Sequence, residues 1–275
     1  MAPFKSEQII ALAEILKSAA QVEILPRFRN LSATDIRFKT SIHDVVTDAD
    51  LAAEAMIEAE LLKLFPHAVI IGEEAASKDP SLLDRISDAE LAFLIDPVDG
   101  TRNFASGLPL FGSMLAVTVR GETVAGVIHD PICGDWVMTV RGEGAFRRSA
   151  DGNEHRLAIA PAKPIAEMEG CVSLHHLPRD LRERVSSRMT QIAITSAYRC
   201  AAHEYRLLAS GFCDFLVFGK LMPWDHAAGF LLHQEAGGYG ARLDGSAYSP
   251  RSSEGALLCA ADSETWRALH TALFA

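Results

Sequence analysis

The 275 residues predict a mixed chain, α+β in its first half and α/β in its second. Two observations lead there. Between residues 113 and 148, β-branched runs alternate with Gly- and Asp-containing turns, which is the signature of antiparallel sheet. Beyond residue 168, strand-like and helix-like segments alternate, as in a sheet covered by helices. The stretch 149–168 is where the chain divides most naturally, giving halves at 1–150 and 151–275. The length suits one large domain or two tightly packed halves.

In order, residues 6–25 read as a helix that Ser6 can cap and Pro26 ends, with Ile9, Ile10, Ala13, Leu16 and Lys17 at helical spacing. Ile36, Phe38 and Lys39 suggest a strand, and 40–44 a flexible turn. Val45 and Val46 lead into Thr47, Asp48 and Asp50. Thr47 or Asp48 can cap the helix over 51–64, capping being the stronger reading for Asp48. The expected apolar face of that helix is Leu51, Ala55, Ile57, Leu61, Leu62 and Phe65. Asp50 falls inside its first turn, where a carboxylate suits the helix dipole. Residues 68–71 form a short apolar strand running into Gly72, Glu73 and Glu74, two acids that locally read as a solvated edge. Residues 76–90 read as surface loop or short helix.

The segment 91–104, LAFLIDPVDGTRNF, is the most informative. Its apolar run reads as a buried strand that ends at Asp96. Asp96, Asp99 and Thr101 would then sit in a turn, with Thr101 able to cap the next helical turn and Gly100 allowing close backbone approach to an anion. The ordinary alternative, with less weight, is an Asp-Pro/Asp-Gly turn after a core strand. Strands come next at 113–120, 123–129, 136–141 and 144–148, then at 170–174, 192–196, 214–218 and 256–260. Helices are expected at 180–191, 201–210, 226–235 and 263–274, with Asp225 at an N-cap position.

The net charge of −10 leaves no global basic footprint for nucleic acid. The five cysteines are scattered without a CxxC pair and read as reduced thiols. No apolar run approaches membrane-spanning length, and the N-terminal residues show no signal-peptide core, so a cytoplasmic location is expected.

Taken singly, the acids have ordinary explanations. Together, Glu73, Asp96 and Asp99 lie at or past strand ends, and Asp50 and Asp225 at helix N-termini. Carboxylates converging from such places repel one another strongly unless cations lie between them. Hard cations such as Mg2+ take oxygen ligands of this kind. No histidine falls in a metal-ligand pair such as HExxH, and His175, His176 and His226 read as surface or structural.

GEE at 72–74, DPVDGTRNF at 96–104 and PWDHAAG at 223–229 resemble the three signatures of the inositol monophosphatase family, lithium-sensitive, Mg2+-dependent phosphatases. KTSIHDVVTDAD at 39–50 and GVIHDP at 126–131 resemble further parts of it. The resemblance implies the layered α-β-α-β-α sandwich of the sugar phosphatases and, in many members, a homodimer. It implies that Glu73, Asp96 and the Val98 carbonyl hold a first Mg2+, that Asp96, Asp99 and Asp225 hold a second, and that Glu73 with Asp50 reaches a weaker third. Asp50 and Thr101 would orient and deprotonate the attacking water, with Gly100 and Thr101 giving backbone N–H groups to phosphate. Lys39 would serve the active-site loop.

Two departures alter the substrate side. The Gly-Ser/Thr-Ala step of the inositol-binding members corresponds to Arg199-Cys200-Ala201, and the Glu seven residues before the metal-binding Asp is Phe218. An apolar ring accepts no hydroxyl hydrogen bond, while Arg199 either offers a cation to a second phosphate or a carboxylate or is, on a reading of at least equal weight, an ordinary surface or salt-bridged Arg. His203, Glu204 and Tyr205 are candidates for the same wall, and Asp225 and Ala201 for substrate contact. Inositol monophosphate or a related sugar phosphate is the expected substrate, with histidinol phosphate, fructose 1,6-bisphosphate or a nucleotide 3′-phosphate as alternatives. A reading of a different class is a binding protein for RNA or transcription machinery on the same fold, against which the acidic charge argues.

Overall fold

The computed structural model describes residue 4 and residues 6–275, with the backbone alone at Ser6 and Ala33. Capping by the Ser6 side chain therefore lies outside the described residues. Helix α1 (Ser6–Ala19) does not end at Pro26 as one regular helix. It widens into a π turn over Ala20–Ile24 and tightens into a 3-10 turn over Leu25–Arg27, where Pro26 sits without breaking anything because first-turn N–H groups have no helical acceptor. Strands β1 (Ile36–Phe38) and β2 (Val45–Thr47) form a small antiparallel ribbon.

Helix α2 (Asp48–Leu64) is capped by Thr47, not Asp48, which instead pairs with Arg37 at 2.5 Å. Its buried face keeps only Ile57 and Leu61 of the expected one. Ala49, Ala53, Ile57 and Leu61 face inward together with the acids Asp50 and Glu54, while Ala55 and Leu62 are exposed. The small alanines let the helix approach the sheet, and the two acids turn toward the crevice.

The chain continues through β3 (Val69–Gly72), α3 (Glu73–Lys78), α4 (Arg85–Asp88), β4 (Ala92–Asp99) and α5 (Thr101–Ala105). Then come β5 (Gly112–Val119), β6 (Glu122–Asp130), β7 (Asp135–Val140), β8 (Gly144–Arg148) and β9 (Glu154–Arg156). Strands β3 to β9 make one seven-stranded sheet in sequence order. It is antiparallel except at its start, where β3 runs parallel to β4 through the α3–α4 crossover. Strand β9, not expected from sequence, extends this sheet past residue 150.

The second half comprises β10 (Glu169–Val172), α6 (Arg179–Arg188), β11 (Ile194–Ser196), α7 (Ala201–Ala209), β12 (Phe215–Phe218) and α8 (Pro223–Glu235). It closes with β13 (Tyr239–Arg242), β14 (Leu257–Ala260) and α9 (Ser263–Phe274). The sheet order is β11-β10-β12-β14-β13, with β11, β10 and β12 parallel and β14 antiparallel to both neighbours.

Alternation along the strands sorts the core into three slabs. Phe93, Ile95 and Val98 of β4 pack with Leu12 and Leu16 of α1 and Ile57 of α2. Leu94, between them, faces the other way and joins α7, α8 and the inner face of the second sheet. The outer face of that sheet, including Val217 and Leu258, meets Val185 of α6 and Leu269 of α9. The result is the five-layer α-β-α-β-α sandwich. Helix α8 lies between two sheets, so it is apolar on nearly every side, and Trp224, Ala228, Phe230 and Leu231 are all buried.

Candidate active site

The crevice forms where β4 ends. The strand does not stop at Asp96 but runs on to Asp99 through Pro97. Asp96 pairs with Met114 and Asp99 with Gly112, so three steps on β4 oppose two on β5. That extra residue is a bulge, and Pro97 suits it because Pro has no ladder N–H to give. The bulge re-aims both carboxylates. Asp96 Oδ1 accepts from Val98 N at 3.0 Å, and Ser113 Oγ donates to Pro97 O at 2.8 Å, fixing the irregular backbone. Gly100 then adopts φ +84°, and a Cβ there would lie 2.9 Å from Leu110 O. Gly100 is the N-cap of α5, so Thr101 is not a cap. As the first helical residue, Thr101 turns its hydroxyl away, to 2.8 Å from Asp50 Oδ1 and 2.9 Å from Val98 O.

Asp50 is held from both sides. Thr47 donates its backbone N–H and its hydroxyl to Asp50 Oδ2, at 2.8 and 2.6 Å. This reciprocal capping box places Asp50 at the bottom of the crevice, and burial pushes its carboxyl up to about 7. Asp225 is not an N-cap either. Met222 caps α8, which begins at Pro223, and Asp225 sits in its first turn.

These placements bring one carboxylate oxygen each of Glu73, Asp96 and Asp225 within 4.8 Å of one another. Asp96 is raised well above the carboxylate range by burial and then by Glu73, Asp99, Asp225 and Asp50. Asp225 is raised by burial and by Glu73 and Asp99, while Lys220 and Lys39 pull it back. Asp99 lies outside the three-oxygen cluster. Its Oδ2 accepts from Ala202 N at 2.6 Å and from the Cys200 thiol at 3.0 Å, at the start of α7, and burial still raises it to about 6.

Glu73 and Glu74 are not a solvated edge. Lys39 Nζ lies 2.8 Å from Glu73 Oε1 and 2.6 Å from Glu74 Oε1. Burial works against the Lys39 charge, but the two glutamates outweigh it and hold the ammonium above its usual range. Glu54, unsuspected from sequence, accepts from Glu74 N and Ala75 N, both at 2.8 Å, and so fixes the turn that presents Glu73. It lies one helical turn from Asp50, a spacing that could have flagged it. The Thr47-x-x-Asp50 pattern likewise signals the capping box.

On the opposite wall, Arg199 takes a left-handed φ of +55° and donates to Asn103 Oδ1 at 2.9 Å. Asn103 Nδ2 donates to Tyr198 O at 2.7 Å and Leu110 O at 2.9 Å, tying this loop to α5. Ala201 is buried behind it. The wall expected from His203, Glu204 and Tyr205 is not open. Glu204 is buried and accepts from Tyr198 N at 2.9 Å, Tyr205 is fully buried, and the His203 ring meets Phe111 O at 3.2 Å. Phe218 is 5% exposed, its ring stacked on Tyr205 and edge-on to His226. His226 Nε2 donates to Lys220 O at 2.7 Å, which leaves Nδ1 to accept from the Tyr205 hydroxyl at 3.2 Å. His226 is structural.

The donor set tests the implied metal. It is all oxygen, carboxylate-rich and lacks His or Cys within the cluster, which fits a hard divalent cation rather than zinc. The crowding that raises Asp96 and Asp225 is what a bound cation would relieve.

Residues 4–275 match the model of the inositol monophosphatase family. A fructose-1,6-bisphosphatase/inositol-1-monophosphatase of Thermotoga maritima is 33% identical over 205 residues, 74% of this chain and 73% of that protein. The Nus factor SuhB of Haemophilus influenzae is 33% identical over 207 residues, 72% of this chain and 71% of that protein. Among solved structures, a Thermotoga maritima IMPase superposes with a TM-score of 0.81 at 25% identity, covering 97% of this chain and 98% of that one. With the layered fold, the acidic crevice and the match over nearly its full length, this chain belongs to the inositol monophosphatase family and is a phosphoric monoester hydrolase.

Proposed function

We propose that the chain is a Mg2+-dependent phosphatase acting on a small phosphorylated alcohol, an inositol monophosphate or related sugar phosphate. The observation that carries this reading is the Glu73–Asp96–Asp225 oxygen cluster beside the 2.8 Å Thr101–Asp50 hydrogen bond. Glu73, Asp96 and the Val98 carbonyl would hold one Mg2+. Asp96, Asp225 and the Asp99 oxygen not committed to α7 would hold another, with Glu73 and Asp50 beside a weaker third. Bound Mg2+ would supply Lewis acidity, lowering the pKa of a water and balancing charge on the leaving oxygen.

The chain's own residues do the rest. Thr101 Oγ1 accepts a proton from the attacking water while passing its own to Asp50 Oδ1. Thr47, by holding Asp50 Oδ2, keeps Oδ1 aimed at that hydroxyl. The water oxygen bonds to phosphorus as the phosphorus–alkoxide bond breaks, and the alkoxide takes a proton from solvent. The Gly100 and Thr101 N–H groups are assigned to the phosphate oxygens. Residues 1–150 supply most of the metal-holding groups, and 151–275 supply Asp225 and the alcohol-facing wall.

Lithium inhibition, a homodimer and a cytoplasmic location belong to the same reading. They rest on family likeness and on five unpaired cysteines. Among the described residues no helix is long and apolar enough to cross a membrane. A second reading, association with transcription machinery, is favoured by the name Nus factor SuhB, which relatives from Haemophilus influenzae and Escherichia coli carry.

The test is phosphate release from a panel of inositol, sugar and nucleotide phosphates with Mg2+, with added lithium, and with chelator. Release that needs Mg2+ and disappears in Asp96→Asn is the expected result. An Asp96→Asn enzyme as active as the parent would sink the metal mechanism. Silence across the whole panel would favour the binding role.

A further inference from the structure

We propose that Arg199 is a positioning residue for Thr101: its guanidinium, carried by the second half of the chain, clamps Asn103 and so holds the short helix that presents the Thr101 hydroxyl. This deepens the phosphatase reading and rests on it.

The clamp starts from a costly backbone conformation. Arg29, Arg120 and Arg199 are the non-glycine residues with positive φ among the described residues. In that region a side chain crowds its own backbone, so glycine is the usual occupant. Arg120 belongs to the tight turn between β5 and β6, where such a conformation is ordinary. Arg29 and Arg199 lie in no hairpin, yet both extend their side chains to α5 or the turn just past it. Arg29 Nε donates to Gly107 O at 3.0 Å, and Arg199 Nη2 donates to Asn103 Oδ1 at 2.9 Å. Strained residues persist where their surroundings hold them, and they gather at sites whose geometry matters. Glu204 of α7 holds Arg199 in place, accepting from Tyr198 N at 2.9 Å and from Arg199 N.

The helix at the other end of the clamp cannot hold its own orientation. Helix α5 spans only Thr101–Ala105, too short to be stable alone. Two consecutive side chains fix it. Phe104 is fully buried against the Phe28 and Phe111 rings of the first half. Asn103, 1% exposed, faces the second half and uses both ends of its amide. Its Oδ1 takes the Arg199 bond, and its Nδ2 donates to Tyr198 O at 2.7 Å and to Leu110 O at 2.9 Å.

Orientation decides what Thr101 can do. Its hydroxyl has one proton and two acceptors in reach, Asp50 Oδ1 at 2.8 Å and Val98 O at 2.9 Å. Only the Asp50 bond opens a path for that proton during water attack. A small rotation of α5 would favour Val98 O and leave Asp50 without its donor. The Arg199–Asn103 bond opposes that rotation, so the second half tunes a proton transfer carried out by the first.

The test uses three variants. Arg199→Gly removes the guanidinium and relieves the backbone, Arg199→Ala removes the guanidinium and keeps the strain, and Arg199→Lys keeps a cationic donor. With Mg2+ and inositol 1-phosphate, the Gly and Ala variants should lose kcat equally, by about tenfold, the scale of a slightly misplaced reacting group. KM should stay within about twofold of the parent, and Arg199→Lys should recover part of the loss. Metal-free melting should separate the first two, with Arg199→Ala the less stable. Amide exchange over residues 101–105 should quicken in both. In a Thr101→Val background, Arg199→Gly should cost nothing further, because its effect passes through that hydroxyl. A kcat that follows the melting temperature, parental in Arg199→Gly and low in Arg199→Ala, would make Arg199 a structural residue only. A loss confined to KM would put the guanidinium on the substrate instead. Additive losses in the double variant, or unchanged exchange over α5, would also overturn the clamp. A parent that hydrolyses no ester would overturn the phosphatase reading, and with it the role of Thr101, whether or not exchange over α5 responds to Arg199.

Discussion

Asp96, Asp99, Gly100 and Thr101 come from six consecutive residues and are aimed by one bulge and one glycine. Arg199, Lys220 and the histidine pair His175–His176 come from three loops spread over residues 175–220 and meet only because three strands run parallel. The β4–α5 share of the proposed metal wall is thus local in sequence and braced by buried hydrogen bonds, while Asp50, Glu73 and Asp225 join it from α2, α3 and α8. The alcohol wall is assembled at long range, and its charged ends reach solvent. If reaction and substrate are divided between these two walls as proposed, substitutions on them should fail differently.

The largest effect is expected on the metal wall. Asp225→Asn removes a charge from the three-oxygen cluster while keeping the shape of the α8 first turn. If bound metal supplies several kcal/mol to the transition state, activity should fall by about a thousandfold. Part of the loss should return at high Mg2+. Retention of more than a tenth of the activity at low Mg2+ would show that Asp225 is not a ligand.

Thr101→Val should cost about a hundredfold or more, the usual reach of positioned proton transfer. The loss should fall on kcat, with the Mg2+ requirement unchanged, and Thr101→Ser should recover most of it. A Thr101→Val enzyme that instead needs far more Mg2+ would place the hydroxyl among the metal-positioning groups.

The contrast also explains how much of each wall is legible in the sequence. The segment 91–104 shows its acids, its glycine and its hydroxyl in one line, and the antiparallel runs after it are legible from alternation and turns. Glu54 is not legible as a functional residue. On a helical pattern it is one more acid, and only the packing of α3 against α2 turns it into the acceptor for Glu74 N and Ala75 N. The α2 face is hidden for the same reason, since a periodicity argument counts acids as outward. Strand β9 has three exposed residues and β13 a single buried one, so neither carries a periodic apolar signal. Lys220 and the histidine pair are ordinary surface residues until the parallel edges bring them together.

Glu54→Gln sharpens the comparison at smaller scale. The amide still accepts from one of the two backbone N–H groups but presents an NH2 to the other. Glu73 should loosen, and Mg2+ affinity should weaken by about tenfold, as for other groups that orient metal ligands. Maximal turnover at saturating Mg2+ should change little by comparison. Calorimetric Mg2+ binding reads this directly, and an unchanged affinity would confine Glu54 to holding the fold together.

The smallest effect concerns stability. Burial raises Glu204 to about 8 in the folded protein, far above the value of a free glutamate, even though the Tyr198 and Arg199 N–H groups pull it down. The folded state therefore binds a proton more tightly than the unfolded chain. The stability this contributes is complete below about pH 4.5 and is lost progressively as pH rises through about 8. Asp50, Glu54 and Asp99 carry the same sign, with folded values of about 7, 7 and 6. His129, His176, His226 and His233, lowered by burial to about 4, act in the opposite sense up to about pH 6.5, so without divalent metal the melting temperature should fall from there to about pH 8.5. Glu204→Gln should flatten that slope without abolishing it, because its amide oxygen still accepts from Tyr198 N and carries no charge. Mg2+ should flatten it separately, by favouring the ionised forms of the metal-wall acids, and should leave the Glu204 share untouched. Additive flattening by the two treatments would mean that the braces of the two walls titrate independently, and a Glu204→Gln protein with the parent's slope would remove Glu204 from that balance.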